Sequence, residues 1–175
     1  DINEPRLQKG TDILLNILKK LPNKDKWIIL IAGPMRNYLI NNFKKYNIPY
    51  YYYGNETPTE DFRINNIDKK RMNLLYNLID CYIVSSRSEG GPKAILESAW
   101  CKTPVLSTDV GYAQDFLVEE CIYNNTDEAV YLLNQMIQPT GKNSFKDRIV
   151  NINYENVKET NDYNEQLNRL ASIYD

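Results

Sequence analysis

Glu89 and Glu97 stand eight positions apart, with Gly90, Gly91, Pro92 and Lys93 between them and Ser85, Ser86, Arg87 and Ser88 just before. Ionised carboxylates accept hydrogen bonds and donate none, which suits hydroxyl groups, whereas a lysine suits an anion. The apolar run Tyr82-Ile83-Val84 precedes this stretch, and an amphipathic run ending near Trp100 follows it. A buried strand therefore leaves its sheet, turns through two glycines and starts a helix at Pro92, since Gly permits tight turns and Pro favours the first helical position. The N–H groups of the first helical turn then face the crevice beyond the strand ends, where a phosphate or a sugar hydroxyl can be held. Plainer readings stand beside this one. Glu89 fits a helix-start carboxylate favoured by the helix dipole, Glu97 an exposed helix-face charge, and Lys93 its i,i+4 partner. Two carboxylates alone do not make a glycosidase pair, which needs a defined separation across a glycosidic bond.

The elements that must hold this stretch follow in order. Asp1 to Gly10 reads as a loop interrupted by Pro5. Thr11 or Asp12 can cap a helix to about Leu21, with Leu14, Leu15, Leu18 and Leu21 inward. Trp27 to Gly33 is nearly all apolar and predicts a strand covered on both faces. A helix from about Met35 to Tyr46 follows, then a strand over Ile48 to Gly54. The four tyrosines of that strand fit β-propensity with half-burial better than a base-stacking platform. Asn55 to Asp68 is polar, contains Pro58 and reads as a ligand-facing loop. A helix over Lys69 to Leu78, a strand over Asp80 to Val84, the helix to Trp100 and a short strand over Pro104 to Ser107 complete the centre. Ala113 to Val118 predicts a brief helix, Cys121 to Tyr123 an edge strand, and Asp127 to Met136 a helix capped by Thr126. After a break at Pro139-Thr140-Gly141, Phe145 to Val150 and Glu155 to Ile173 read as two terminal helices, the second anchored by Leu167, Leu170 and Ile173. This alternation predicts a single α/β domain with a mainly parallel sheet, whose ligands bind beyond the carboxyl ends of the strands.

Composition narrows the chemistry. The 175 residues are 42% hydrophobic and 25% charged, ordinary for one globular domain. With 21 basic and 23 acidic residues the net charge is −2, which argues against a nucleic-acid partner. His is absent, so imidazole bases, His-built triads and His zinc sites are excluded. Cys81, Cys101 and Cys121 are too widely spaced for a zinc knuckle and read as buried thiols of a reducing compartment. No Asp-x-Asp cluster for holding a nucleotide through a metal is evident, so no metal ion is expected to be required. No run approaches the roughly 18 apolar residues of a membrane span, and Asp1 does not open a signal peptide. The Asn55-Glu56-Thr57 and Asn124-Asn125-Thr126 triplets are then chance matches to a glycosylation pattern.

Glu89-Gly90-Gly91-Pro92, Glu97, Cys101-Lys102-Thr103-Pro104-Val105 and the upstream Leu7-Gln8-Lys9-Gly10 together resemble a known family. It is the sucrose-synthase-like group of retaining glycosyltransferases (glycosyltransferase family 4, "glycosyl transferases group 1"). The likeness runs from about Pro5 to Met136, with Gly33 and Gly54 ending their strands in the expected order. It implies a Rossmann-like three-layer domain, one half of a GT-B fold, that binds a nucleotide-diphospho-sugar for hexosyl transfer to a glycan or lipid-linked acceptor. Glu89 and Lys9 would be the catalytic pair, with Glu89 accepting from donor-sugar hydroxyls and Lys9 offsetting charge that grows on the departing diphosphate. Gly90, Gly91, Lys93, Glu97, Gly33, Gly54 and Asn55 would bind the donor. Glu97 would hold the ribose, and the Asn55 to Pro58 region would meet the base. Arg6 and Ser88 complete the candidate set.

The same resemblance implies a further strand before the Lys9-Gly10 loop, ending in an Arg that shares the diphosphate, and a separate N-terminal acceptor domain. Neither precedes Asp1. The expectation is therefore a C-terminal donor-binding half, with terminal helices from about residue 144 and little or no transfer activity alone. Its full-length protein is expected to be cytoplasmic, at the inner face of the membrane where it associates peripherally. A related GT-B nucleotide-sugar enzyme such as an epimerase, and a non-catalytic nucleotide-binding α/β domain, remain the alternatives.

Overall fold

The structure is a computed structural model and describes residues 4–57, 64–136 and 144–160. β1 (Ile29–Ala32) pairs in parallel with β2 (Tyr50–Tyr53), in the register Ile29 to Tyr50 through Ala32 to Tyr53. β3 (Tyr82–Val84) pairs in parallel with β4 (Val105–Ser107), Tyr82 opposite Val105 and Val84 opposite Ser107. Parallel neighbours need a crossover, and helices supply it. α2 (Asn37–Lys45) links β1 to β2, α3 (Lys69–Leu78) links β2 to β3, and α4 (Lys93–Trp100) links β3 to β4. The α/β, Rossmann-like architecture expected from the sequence is the one observed. Among the described residues, however, the sheet falls into two separate pairs, β1-β2 and β3-β4. Each of β1 and β3 has one hydrogen-bonded neighbour, and both line the same cavity.

α1 (Thr11–Lys20) packs between α2 and α6 (Thr126–Met136), which explains why Ile17 is buried along with Leu15 and Leu18. Its cap differs from expectation. Gly10, in the left-handed region at φ 59°, precedes the helix with no side-chain cap. Thr11 Oγ1 instead accepts from the Arg6 N–H at 2.9 Å. α2 buries Leu39, Ile40 and Phe43 as the spacing predicts, but begins two residues late because Met35 takes φ 60°. α3 has the expected bounds, and Asp68 Oδ1 caps it by accepting from the Arg71 N–H at 2.9 Å. β1 is less covered than a doubly covered strand would be. Ile28, just before it, is 76% exposed, and Ile29, Leu30 and Ala32 are only half-buried at the cavity wall.

Beyond β4, α5 (Ala113–Phe116) is the expected short helix. Cys121 to Tyr123 is not a strand: Ile122 forms one isolated parallel bridge with Ser107 after a 3-10 turn over Glu119–Cys121. Thr126 does not cap α6. The Asn125 side chain accepts from the Asp127 and Glu128 N–H groups instead. The two terminal helices are one, α7 (Phe145–Thr160), because nothing between Val150 and Glu155 breaks it and Ile149, Asn153 and Val157 bury one face. The break at Pro139 to Gly141 and the anchors Leu167, Leu170 and Ile173 lie outside the described residues. No helix among the described residues is long and apolar enough to cross a membrane.

Candidate functional site

Two loops far apart in sequence are joined beyond β3. The Arg87 N–H donates to Gln8 O at 2.8 Å, and Ser85 Oγ donates to Lys9 O at 3.2 Å. Arg87 also grips from its side chain, with Nη1 donating to Leu7 O at 2.8 Å and the two guanidinium nitrogens reaching Asp12 Oδ1 and Oδ2 at 2.7 and 2.6 Å. Gly10 sits under the Ser85 carbonyl, where an added Cβ would lie 1.6 Å from the oxygen. These contacts fix the backbone on both sides of Lys9. Its Nζ then reaches Glu89 Oε1 at 2.6 Å, and Ser86 Oγ donates to the same oxygen at 2.7 Å. Glu89 Oε2 has no protein partner among the described residues.

Lys9 is 41% and Glu89 18% exposed, so the pair adds on the order of 1 kcal/mol or less to stability. Its significance is geometric. Burial alone would raise the Glu89 carboxyl, but the hydrogen bonds from Lys9 and Ser86 overcome burial and hold it below the usual value. Hydrogen bonds from Arg87 likewise hold Asp12 below its ordinary 3.8, against the opposing effect of burial. A depressed carboxylate contributes stability above its unfolded pKa and loses it as pH falls through the folded one. Wild-type protein is therefore expected to lose stability from about pH 5 downward along a steeper limb than Arg87→Ala, measured by denaturant unfolding across that range. Equal slopes would mean that Arg87 does not govern Asp12.

The turn itself is held from the next loop. Thr108 Oγ1 donates to Ser86 O at 2.6 Å, and the Tyr112 ring covers Gly91 so closely that a Cβ there would lie 2.5 Å from it. Gly91 is thus required by a close approach, whereas a Cβ on Gly90 would meet nothing within 4 Å. α4 then starts behind Pro92 without a side-chain cap, and of its first-turn amides that of Ile95 donates to Pro92 O at 2.9 Å.

A cavity of about 680 Å³ opens at this place. Of the predicted residues it gathers Arg6, Lys9, Gly33, Glu89, Gly91 and Lys93. Ser88, Gly90, Gly54 and Asn55 do not form its wall. Asn55 has its N–H and C=O paired with the Asn65 side-chain amide, at 2.7 and 2.9 Å, and Asn66 and Ile67 line the cavity on that side. Residues 58–63 of the same loop lie outside the described residues. Lys93 makes no ion pair with Glu97. Glu97 instead accepts from Tyr76 Oη at 3.0 Å and lines a neighbouring cavity of about 590 Å³. Ile67, Met72 and Tyr76 belong to both walls, so the two cavities adjoin.

Sequence reasoning missed Arg36, Arg87, Asp12 and Tyr76. Arg36 lines the cavity, with Nε donating to Ala32 O at 2.8 Å, and its place three residues past Gly33 was the available signal. Among the described residues Arg6, Lys9, Arg36 and Lys93 are the cations of this wall, and Glu89 is its acid. In a chain of net charge −2 that concentration of positive charge at the end of parallel strands suits an anionic ligand with hydroxyls. Among the described residues no group of three or more Cys, Asp or Glu could hold a metal ion.

The family described as Glycosyl transferases group 1 matches residues 3–129. No curated protein sequence matches the chain. Among solved structures, the catalytic domain of cholesterol-alpha-glucosyltransferase from Helicobacter pylori superposes with a TM-score of 0.67 at 11% identity, over 87% of this chain and 91% of that one. Sucrose-phosphate synthase from Thermosynechococcus elongatus gives 0.68 at 14% identity, over 95% of this chain and 42% of its own length. The N-terminal domain of trehalose-6-phosphate phosphatase from Candida albicans gives 0.64 at 16%, over 86% and 36% respectively. At these identities the likeness is one of fold, and the chain spans less than half of the latter two.

Proposed function

Because the chain belongs to the family Glycosyl transferases group 1, we propose that it is the donor-binding half of a retaining glycosyltransferase of GT-B architecture. Its ligand is a nucleotide-diphospho-sugar, from which a hexosyl group passes to a glycan or lipid-linked acceptor. The observation that carries this reading is the wall that, among the described residues, sets Arg6, Lys9, Arg36 and Lys93 around the acid Glu89. Cations answer the diphosphate, and Glu89 Oε2 accepts from a sugar hydroxyl. As the bond from sugar to phosphate breaks, negative charge grows on the leaving diphosphate. Lys9, fixed by the Arg87 grip on its loop, offsets that charge most where it is largest, in the transition state. The first-turn amides of α4 add oriented partial positive charge at the same place.

In this reading the acceptor is presented by an N-terminal domain, and a further strand of the whole protein runs between β1 and β3. The inner cavity wall, made by Ile29, Ile31, Leu75, Ile83 and Val84, suits that strand. The outer wall at Lys9 and Glu89 suits the donor. The whole enzyme works in the cytoplasm at the inner membrane face, for polysaccharide or lipid-glycan synthesis. Calorimetry against UDP-, GDP-, ADP- and CMP-sugars with excess chelator is the test. One donor is expected to bind, with no dependence on metal, and the isolated domain to show no robust transfer. Absence of binding by every donor overturns donor recognition. Loss of binding in chelator overturns metal independence, and strong transfer by the domain alone overturns the need for a second half.

A further inference from the structure

We propose that Tyr76 is a positioning residue for Glu97, presetting that carboxylate to receive the ribose hydroxyls of the donor. This rests on the donor-binding reading above and deepens it. Glu97 stands on the exposed side of α4, where a glutamate would ordinarily sample many rotamers. Ordering such a side chain takes up to roughly ten- to thirtyfold from a ligand's affinity unless the protein has met that cost already. Tyr76 meets it by donating from Oη to Glu97 Oε2 at 3.0 Å. Oε1 has no protein partner among the described residues and is left to accept from a ligand.

The donor is itself held firmly. Tyr76 is 3% exposed, and its ring meets the edge of Tyr82 with centroids 5.5 Å apart and planes at 81°. Thr103 Oγ1 donates to the Tyr76 carbonyl at 2.6 Å, tying α3 to the start of β4 at this point. Burial first, then the neighbouring Tyr82 and Glu97, push the phenol far above its usual value, so it donates throughout the working pH range. The position also fits. Tyr76, with Ile67 and Met72, forms the wall shared by the two cavities, so Glu97 lies one step from the cationic wall where the diphosphate sits. A nucleoside joined to that diphosphate reaches Glu97 across this junction.

Binding of UDP, GDP and ADP, followed by the 2′-deoxy form of the one that binds, tests the assignment in wild type, Tyr76→Phe, Glu97→Ala and the double variant. Tyr76→Phe keeps the ring and its packing, and unchanged thermal unfolding confirms that the fold persists. It is expected to weaken the ribonucleotide about tenfold, because the ligand must then order Glu97 itself. The 2′-deoxy form should change by less than about twofold, because it lacks a hydroxyl that Glu97 receives. The double variant should bind no more weakly than Glu97→Ala alone. A tyrosine that merely packs would affect both nucleotides alike and add to Glu97→Ala, and that result overturns the positioning role while leaving donor binding intact. Unchanged binding in Tyr76→Phe overturns it as well. If Glu97→Ala binds like wild type, the ribose assignment and the positioning role fall together. If none of the three diphosphates binds, the donor-binding reading falls first and takes both with it.

Discussion

Glu89→Gln is expected to move two affinities in opposite directions, tightening a nucleoside diphosphate and weakening its sugar conjugate. In the free protein Lys9 is occupied by Glu89 at 2.6 Å, so a diphosphate must compete with a carboxylate for its cation. Removing that charge frees Lys9 and also removes repulsion across the cavity. Exposed ion pairs are worth roughly 0.2–1 kcal/mol, which places the gain for the diphosphate at up to about fivefold. The sugar conjugate receives the same gain but loses a charged acceptor for its hydroxyl, worth about 1.5 kcal/mol or more. With that loss at about 1.5 kcal/mol the balance is a net weakening of roughly two- to tenfold, read by titrating wild type and variant with both ligands. Lys9→Ala is the control, since it should weaken both. Equal weakening of both ligands by Glu89→Gln would mean that Glu89 supports the diphosphate, and the division of labour between the two residues would be wrong.

The parts of this site that were legible in the sequence are those written in a local pattern. A short apolar run, two glycines, a proline and an amphipathic stretch gave β3, its turn and α4 directly. The spans of α2, α3 and α6 were nearly as plain, within two residues at each end. Contacts between distant segments have no such pattern. Asp12 looked like a helix cap because caps are local, yet its carboxylate is bound by Arg87, 75 positions away. Thr126 was misread for a related reason. Asn125, one residue earlier, has the better geometry for the same amides, and neighbouring cap residues compete with little sequence signal to separate them. The apolar run of β1 predicted cover on both faces, but apolar character states what a strand tolerates, and Ile28 is exposed all the same. Tyr76 illustrates the limit most sharply. Its place on α3 was legible, and only the fold could tell that its hydroxyl meets Glu97.

Among the described glycines, Gly10→Ala is expected to be the most damaging alanine substitution, and it tests how Lys9 is placed. Gly10 has φ 59°, a conformation that costs an L-residue roughly 1–2 kcal/mol. The added Cβ would also lie 1.6 Å from the Ser85 carbonyl oxygen, a backbone atom that cannot swing aside as a side chain would. Relief requires the two loops to part, at the expense of the Arg87 N–H to Gln8 O and Ser85 Oγ to Lys9 O hydrogen bonds, each worth about 1 kcal/mol. Together these amount to about 3 kcal/mol, or a fall in melting temperature of roughly 6–12 °C for a domain of this size. Because the displaced loop carries Lys9, diphosphate affinity should fall with it, as in Lys9→Ala. Gly90→Ala supplies the contrast: a Cβ there meets nothing within 4 Å, and the expected change in stability is within about 0.5 kcal/mol. If Gly10→Ala melts and binds like wild type, the two loops are not locked together, and Lys9 reaches Glu89 by its own flexibility instead of by the backbone that presents it.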